Sequence, residues 1–99
     1  MTDTEINIAI AEACGWTVQL SRLEMGLDVV RNRERRALPN YCGDLNAMHK
    51  AEKTLSETNM FVMAHNIERL VSRHGQHYFH ATARQRAEAF LRTIGKWQQ

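Results

Sequence analysis

The sequence predicts an α+β fold in which about four helices pack with a small antiparallel β-hairpin or sheet, in one domain spanning residues 1–99. Apolar residues recur at helical spacing in four segments, three of them behind a side chain able to cap a helix. Between the first and second of these, Val18 and Leu20 alternate as in a strand ahead of Gly26. Pro39 then closes that stretch, because it lacks an amide hydrogen and biases Leu38 toward extended backbone.

The first helix is predicted from Asp3 to Cys14. Thr2 and Glu5 have the spacing of a capping box, Ile6, Ala9, Ile10 and Ala13 form its inward face, and Gly15 stops it. From Thr17 to Leu38 two patterns compete. Val18 and Leu20 alternate, yet Leu20, Leu23, Leu27 and Val30 also fit a helix face. A mid-helix Gly26 would cost about 1 kcal/mol, whereas a turn at Met25–Gly26 would return a strand with Leu27, Val29 and Arg31 on one side. Hence a hairpin is preferred.

Residues 39–43 form the clearest internal loop, after which Asp44 caps a second helix with Leu45, Met48, Ala51 and Leu55 along it. Polar residues 56–59 then interrupt the pattern. Met60, Met63, Ala64, Ile67, Leu70 and Val71 trace the third helix as far as Gly75, with Phe61 off that stripe. In the fourth, Thr82 is the cap, Ala83, Ala87, Phe90, Leu91 and Ile94 face inward, and Gly95 is the stop.

Size and composition narrow the function. Ninety-nine residues bury too little interior for a large enclosed cofactor cavity, so a surface role is favoured and no cofactor is expected. A formal charge of +2 is too small to imply nucleic acid without a concentrated basic patch. No apolar run approaches the roughly 20 residues that span a bilayer, and no secretory signal is evident. Cys14 and Cys42 therefore read as reduced packing residues in a cytoplasmic protein with no membrane partner.

Each spacing that suggests chemistry lacks a necessary partner. His74, His77 and His80 are potential metal ligands, but their connector offers no fourth donor, and no metal is expected. His49 with Glu52, and His65 with Glu68, reverse the Glu-x-x-His order of di-metal bundles. Cys42 precedes a helix, with His49 as a conceivable base, yet Asp44 opposes thiolate formation and no oxyanion hole is apparent. No catalytic residue is assigned.

Arg31, Arg33, Arg35 and Arg36 concentrate positive charge ahead of Pro39. On one strand, Arg31, Arg33 and Arg35 would project from a single side at roughly 6–7 Å intervals, suited to phosphates or an acidic protein face. Arg84, Arg86, Arg92 and Lys96 add a second group. Phe61 is the candidate exposed apolar contact, and Trp97 either folds back onto the core or marks such a site.

AEACGW at residues 11–16, LPNYCGDLNAMHKAEKTL at 38–55 and HATARQRAEAFLRTIGKW at 80–97 together resemble the phage ABA sandwich domain family. The resemblance covers about half of the chain and implies a layered fold, an antiparallel sheet between helices, and a phage or prophage origin. It brings no catalytic residues, since the family has no established enzymatic activity. Val18–Arg36, richer in arginine than the family pattern, and the stretch from Glu57 to His77 depart from it. The reading that follows is a non-enzymatic, phage-encoded protein-binding module acting in the cytoplasm of a bacterial host. Such a module would inhibit a host defence complex, as anti-CRISPR proteins do, by occluding a surface of a protein or ribonucleoprotein. Its expected contacts are Arg31, Arg33, Arg35, Arg36 and Phe61. The alternative is a nucleic-acid or nucleotide-binding phage accessory protein using the same arginines.

Overall fold

The computed structural model describes residues 1–21, 26–72 and 81–99. Its elements run α1 (Asp3–Ala13), β1 (Thr17–Leu20), β2 (Leu27–Arg31), β3 (Glu34–Ala37), α2 (Leu45–Glu52), α3 (Glu57–Ser72) and α4 (Ala83–Thr93). The α+β class is as the sequence predicts: the described residues form four helices and an antiparallel sheet of three strands in the order β1-β2-β3. No helix among the described residues is long and apolar enough to cross a membrane.

Local chemistry sets the helix ends. Thr2 with Glu5, and Thr82 with Gln85, form reciprocal capping boxes, and Asp44 accepts from the Asn46 N–H at the start of α2. The hydroxyl of Ser56 accepts from the Asn59 N–H, so α3 begins a turn earlier than its apolar stripe suggests. Beyond α1, Gly15 takes a φ of 91°, which few side-chain-bearing residues tolerate.

Helix α4 organises the core by packing against α1, α2 and α3. Its Ala87, Ala89, Phe90 and Leu91 are all essentially inaccessible, and the alanines allow close approach of the neighbouring helices. Around them gather Ile6 and Ile10 of α1, Met48 of α2, Met63, Ile67 and Val71 of α3, and Val29 of the sheet. Burying each of these larger side chains stabilises the fold by about 1.5–3 kcal/mol.

The buried face of α1 differs from the one read in the sequence. It consists of Ile6, Asn7, Ile10 and Ala11, whereas Ala13 is exposed and Ala9 only half-buried. The rotation has a polar cause. Asn7, the one buried polar residue among those described, accepts from the buried Cys42 N–H at 3.1 Å through its side-chain oxygen. Its amide nitrogen also donates to Asn40 at 3.4 Å. Residues 40–42 are thereby tied to α1.

In the sheet, Val18 lies opposite Val29, and Val29 opposite Arg36, so Val18, Val29, Arg36 and also Arg31 share one face. Val29 is the inaccessible centre of that face. On the other, Thr17, Gln19, Arg35 and Ala37 are exposed. The β1–β2 connection contains residues 22–25, outside the description, and is closed by the Ser21 N–H donating to the Gly26 carbonyl at 3.0 Å.

Candidate functional site

The arginine-rich segment is not one strand. Arg31 pairs with Glu34, leaving Asn32 and Arg33 as a two-residue turn with φ of 49° and 69°. Two positive φ values are the pattern of a type I′ hairpin turn, whose twist matches that of the flanking strands. This corrects the expected single-sided array of Arg31, Arg33 and Arg35. The turn removes Arg33 from the ladder and places Arg31 and Arg35 on opposite faces, because Arg35 lies opposite Val30.

Each arginine then has its own surroundings. The Arg31 guanidinium lies 4.1 Å from the Trp16 ring centre and donates to the Cys14 carbonyl at 3.0 Å. Arg36 approaches the same ring at 5.7 Å, and its Nε donates to Glu34 at 2.8 Å. On the opposite face Arg35 forms an ion pair with Asp28 at 2.9 Å and reaches Gln19. Arg33 alone of the four has neither a hydrogen bond nor an ion pair among the described residues.

In the second basic group the three arginines are ion-paired, whereas Lys96, among the described residues, is not. Arg84 pairs with Asp3 at 2.8 Å, Arg92 with Glu88 at 2.9 Å, and Arg86 with Glu52 across α4 and α2. Arg92 also lies 5.3 Å from the Trp97 ring, and Trp97 folds back onto the core, half-buried. Among the described residues five arginines are thus neutralised locally, which weakens the case for a basic track along a nucleic-acid backbone.

Between the sheet and α2 lies a cleft of about 390 Å³. Arg31, Arg36 and Lys50 border it, one from each of β2, β3 and α2, and Trp16, Tyr41 and Ala47 also line it. Tyr41 is only 4% exposed and has no hydrogen-bond partner among the described residues. Burial pushes its phenol up to about 12, further raised by Cys14 and opposed by Arg31, so the hydroxyl stays protonated. A larger and more open concavity of about 530 Å³ beside α1 carries charges of both signs, Glu5, Glu12 and Lys96, with no convergent set.

Phe61 is 71% exposed. Met60 and Val62 beside it are also exposed, at 53% and 43%, although α3 buries Met63, Ile67 and Val71. With about 100° between successive residues, Met60, Ala64 and Phe61 form a continuous arc on one shoulder of the helix. That arc borders a groove of about 190 Å³ lined by Leu55, Met63 and Ile67, with the Glu52–Arg86 pair at its edge.

The remaining sequence candidates separate. The Cys42 thiol is pushed up to about 11 by burial and then by Asp3, with Arg84 opposing, so it is not an activated nucleophile. The carboxylate acting on it is Asp3 rather than Asp44. Glu52 is held by Arg86, while His49, His65 and Glu68 are exposed. Among the described residues no three His, Cys, Asp or Glu side chains gather as a metal site, and His74, His77 and His80 lie outside the described residues.

No family model, curated protein or solved structure matches the chain. The residues that sequence reasoning did not bring together are Trp16, Tyr41 and Lys50. Their only advance signal was chemical type, since an aromatic, a phenol and an amine from three separate segments meet only once the sheet is set against α2.

Proposed function

We propose that the protein is a small, non-enzymatic protein-binding module, and that its contact surface is the exposed apolar shoulder of α3 centred on Phe61. The observation that carries this reading is a large aromatic side chain left 71% exposed, with Met60 beside it, on a helix whose other side is core. Burying Phe61 in a partner's pocket would contribute on the order of 2 kcal/mol and supply the kind of aromatic anchor that dominates protein interfaces. Arg33, which alone of its group has neither a hydrogen bond nor an ion pair among the described residues, would speed encounter with an acidic partner surface.

In its fuller form, the module is phage-encoded and occludes a surface of a bacterial host defence complex. That part rests on small size and on the resemblance carried by residues 11–16, 38–55 and 80–97. Nucleic-acid binding stands second, because Arg35 and Arg36 pair with Asp28 and Glu34, and Arg84, Arg86 and Arg92 are also ion-paired.

The test is capture from bacterial host lysate on immobilised wild-type, Phe61→Ser and Lys53→Gln proteins, followed by mass spectrometry. A specific protein or ribonucleoprotein retained by wild type and Lys53→Gln, and lost with Phe61→Ser, supports the reading. Equal retention by Phe61→Ser, or no specific capture by wild type, overturns it. A mobility-shift titration with DNA and RNA at two salt concentrations separates the nucleic-acid alternative, which requires steeply salt-dependent binding.

A further inference from the structure

We propose that the cleft between the sheet and α2 binds a small organic oxyanion, a phosphate ester or carboxylate carried on an apolar body. Its charged end would meet Arg31, Arg36 and Lys50, with the Tyr41 hydroxyl donating to it, while the body lies against Pro39 and Ala47.

The charge balance of the cleft favours an anion. Three cations line it from three different elements, and the one carboxylate in the lining, Asp44, accepts from the Asn46 N–H at 2.9 Å as the cap of α2. Glu34 engages Arg36 from outside the lining, through Nε and one amino nitrogen, which leaves the other amino group of Arg36 free to donate. Arg31 spends one amino nitrogen on the Cys14 carbonyl and keeps its remaining donors.

Pre-organisation is the second argument. Arg31 lies over the Trp16 ring at 4.1 Å and Arg36 near it at 5.7 Å, contacts that restrain both side chains before any ligand arrives and so reduce the side-chain entropy lost on binding. Tyr41 as a residue is 4% exposed and its hydroxyl has no hydrogen-bond partner among the described residues, yet no described buried side-chain oxygen lacks a partner, so the hydroxyl opens onto the cleft, where a ligand's oxygen can replace water as its acceptor. Its raised pKa keeps the proton in place at neutral pH. The volume of about 390 Å³ falls in the range of small-molecule sites and exceeds what a bare inorganic ion would fill.

The inference is independent of the protein-binding surface on α3 and is tested separately, by proton–nitrogen correlation spectra of the full chain titrated with four probes. Phenyl phosphate and benzoate carry the two oxyanions on the same apolar ring, inorganic phosphate lacks the body, and benzyl alcohol lacks the charge. Saturable shifts are expected for the Trp16 indole and for the Tyr41 and Lys50 amides with phenyl phosphate, benzoate or both, the tighter of the two identifying the headgroup. Affinity should fall about tenfold or more in Lys50→Gln and in Arg36→Gln, each of which removes a charge-assisted donor at an exposed position, and should hold in Lys53→Gln. The unliganded spectra verify that each variant is folded. Absence of saturable shifts with both ring-bearing anions would overturn the assignment, as would undiminished affinity in Lys50→Gln and Arg36→Gln, or equally tight binding of benzyl alcohol.

Discussion

Replacing Asn7 with alanine tests whether one buried amide holds the loop before α2 in place. In the wild type its side-chain oxygen accepts from the Cys42 N–H at 3.1 Å, and Cys42 is only 8% exposed, so the orphaned amide would have no ready access to water. A buried backbone donor left unsatisfied costs about 1–3 kcal/mol. Losing the long 3.4 Å bond to Asn40 adds about 0.5 kcal/mol, and the small void left by the missing amide about 1 kcal/mol more. The sum is about 2.5–4.5 kcal/mol, a large share of the stability of a small domain. For a chain of this length that lowers Tm by roughly 10–36 °C. Urea unfolding followed by tryptophan fluorescence and far-ultraviolet circular dichroism measures it, with Asn40→Ala as the control that removes only the weaker bond and should cost under about 1 kcal/mol. If Asn7→Ala lost less than about 0.5 kcal/mol, or no more than Asn40→Ala, the loop would not depend on this contact and the reasoning would fail.

Two further outcomes follow from the same region. A Cβ on Gly43 would stand 2.5 Å from the Asn40 side-chain nitrogen, so Gly43→Ala must displace that amide and should cost about 1 kcal/mol by urea unfolding; a gain in stability would contradict the close approach. The folded state holds protons on Cys42 and Tyr41, at about 11 and about 12, that the unfolded chain releases near 9 and 10. Stability should therefore decline as pH rises from about 9 through 12, Cys42→Ala should make the part between about 9 and 11 shallower without abolishing it, because Cys14, also raised by burial, and Tyr41 titrate there too, and iodoacetamide at neutral pH should label Cys42 far more slowly than a free cysteine. A midpoint urea concentration unchanged between pH 8 and 11 is the contrary result.

Helix positions were legible because their signals are local. Thr2, Asp44 and Thr82 cap where their spacing indicates, and the α4 face of Ala83, Ala87, Phe90 and Leu91 is buried as its periodicity requires. What escaped depends on contacts distant in sequence. Asn7 looks like a surface polar residue until Cys42, thirty-five positions away, supplies its partner. The second hairpin turn was hidden because Asn32 is followed by Arg33 rather than the glycine that usually marks a type I′ turn. Without that turn the arginines read as one row, and with it their side chains divide between two faces and a loop. The exposure of Phe61 was readable from its place off the apolar stripe, whereas Met60 lies on the stripe and is exposed nonetheless, in the first turn of α3.

The charged strand β3 also bears on how the molecule behaves in a crowd. It forms one border of the sheet, and all four of its residues are exposed. Such a border offers unpaired backbone groups to any other extended chain, including another copy of itself. Glu34, Arg35 and Arg36 make that approach unattractive, since stacking a second β3 alongside would crowd like charges and disturb the pairs with Asp28 and within the strand. Arg35 and Arg36, with Glu34, would thus have a use that requires no partner at all: they disfavour the addition of a further strand along β3 from a neighbouring molecule.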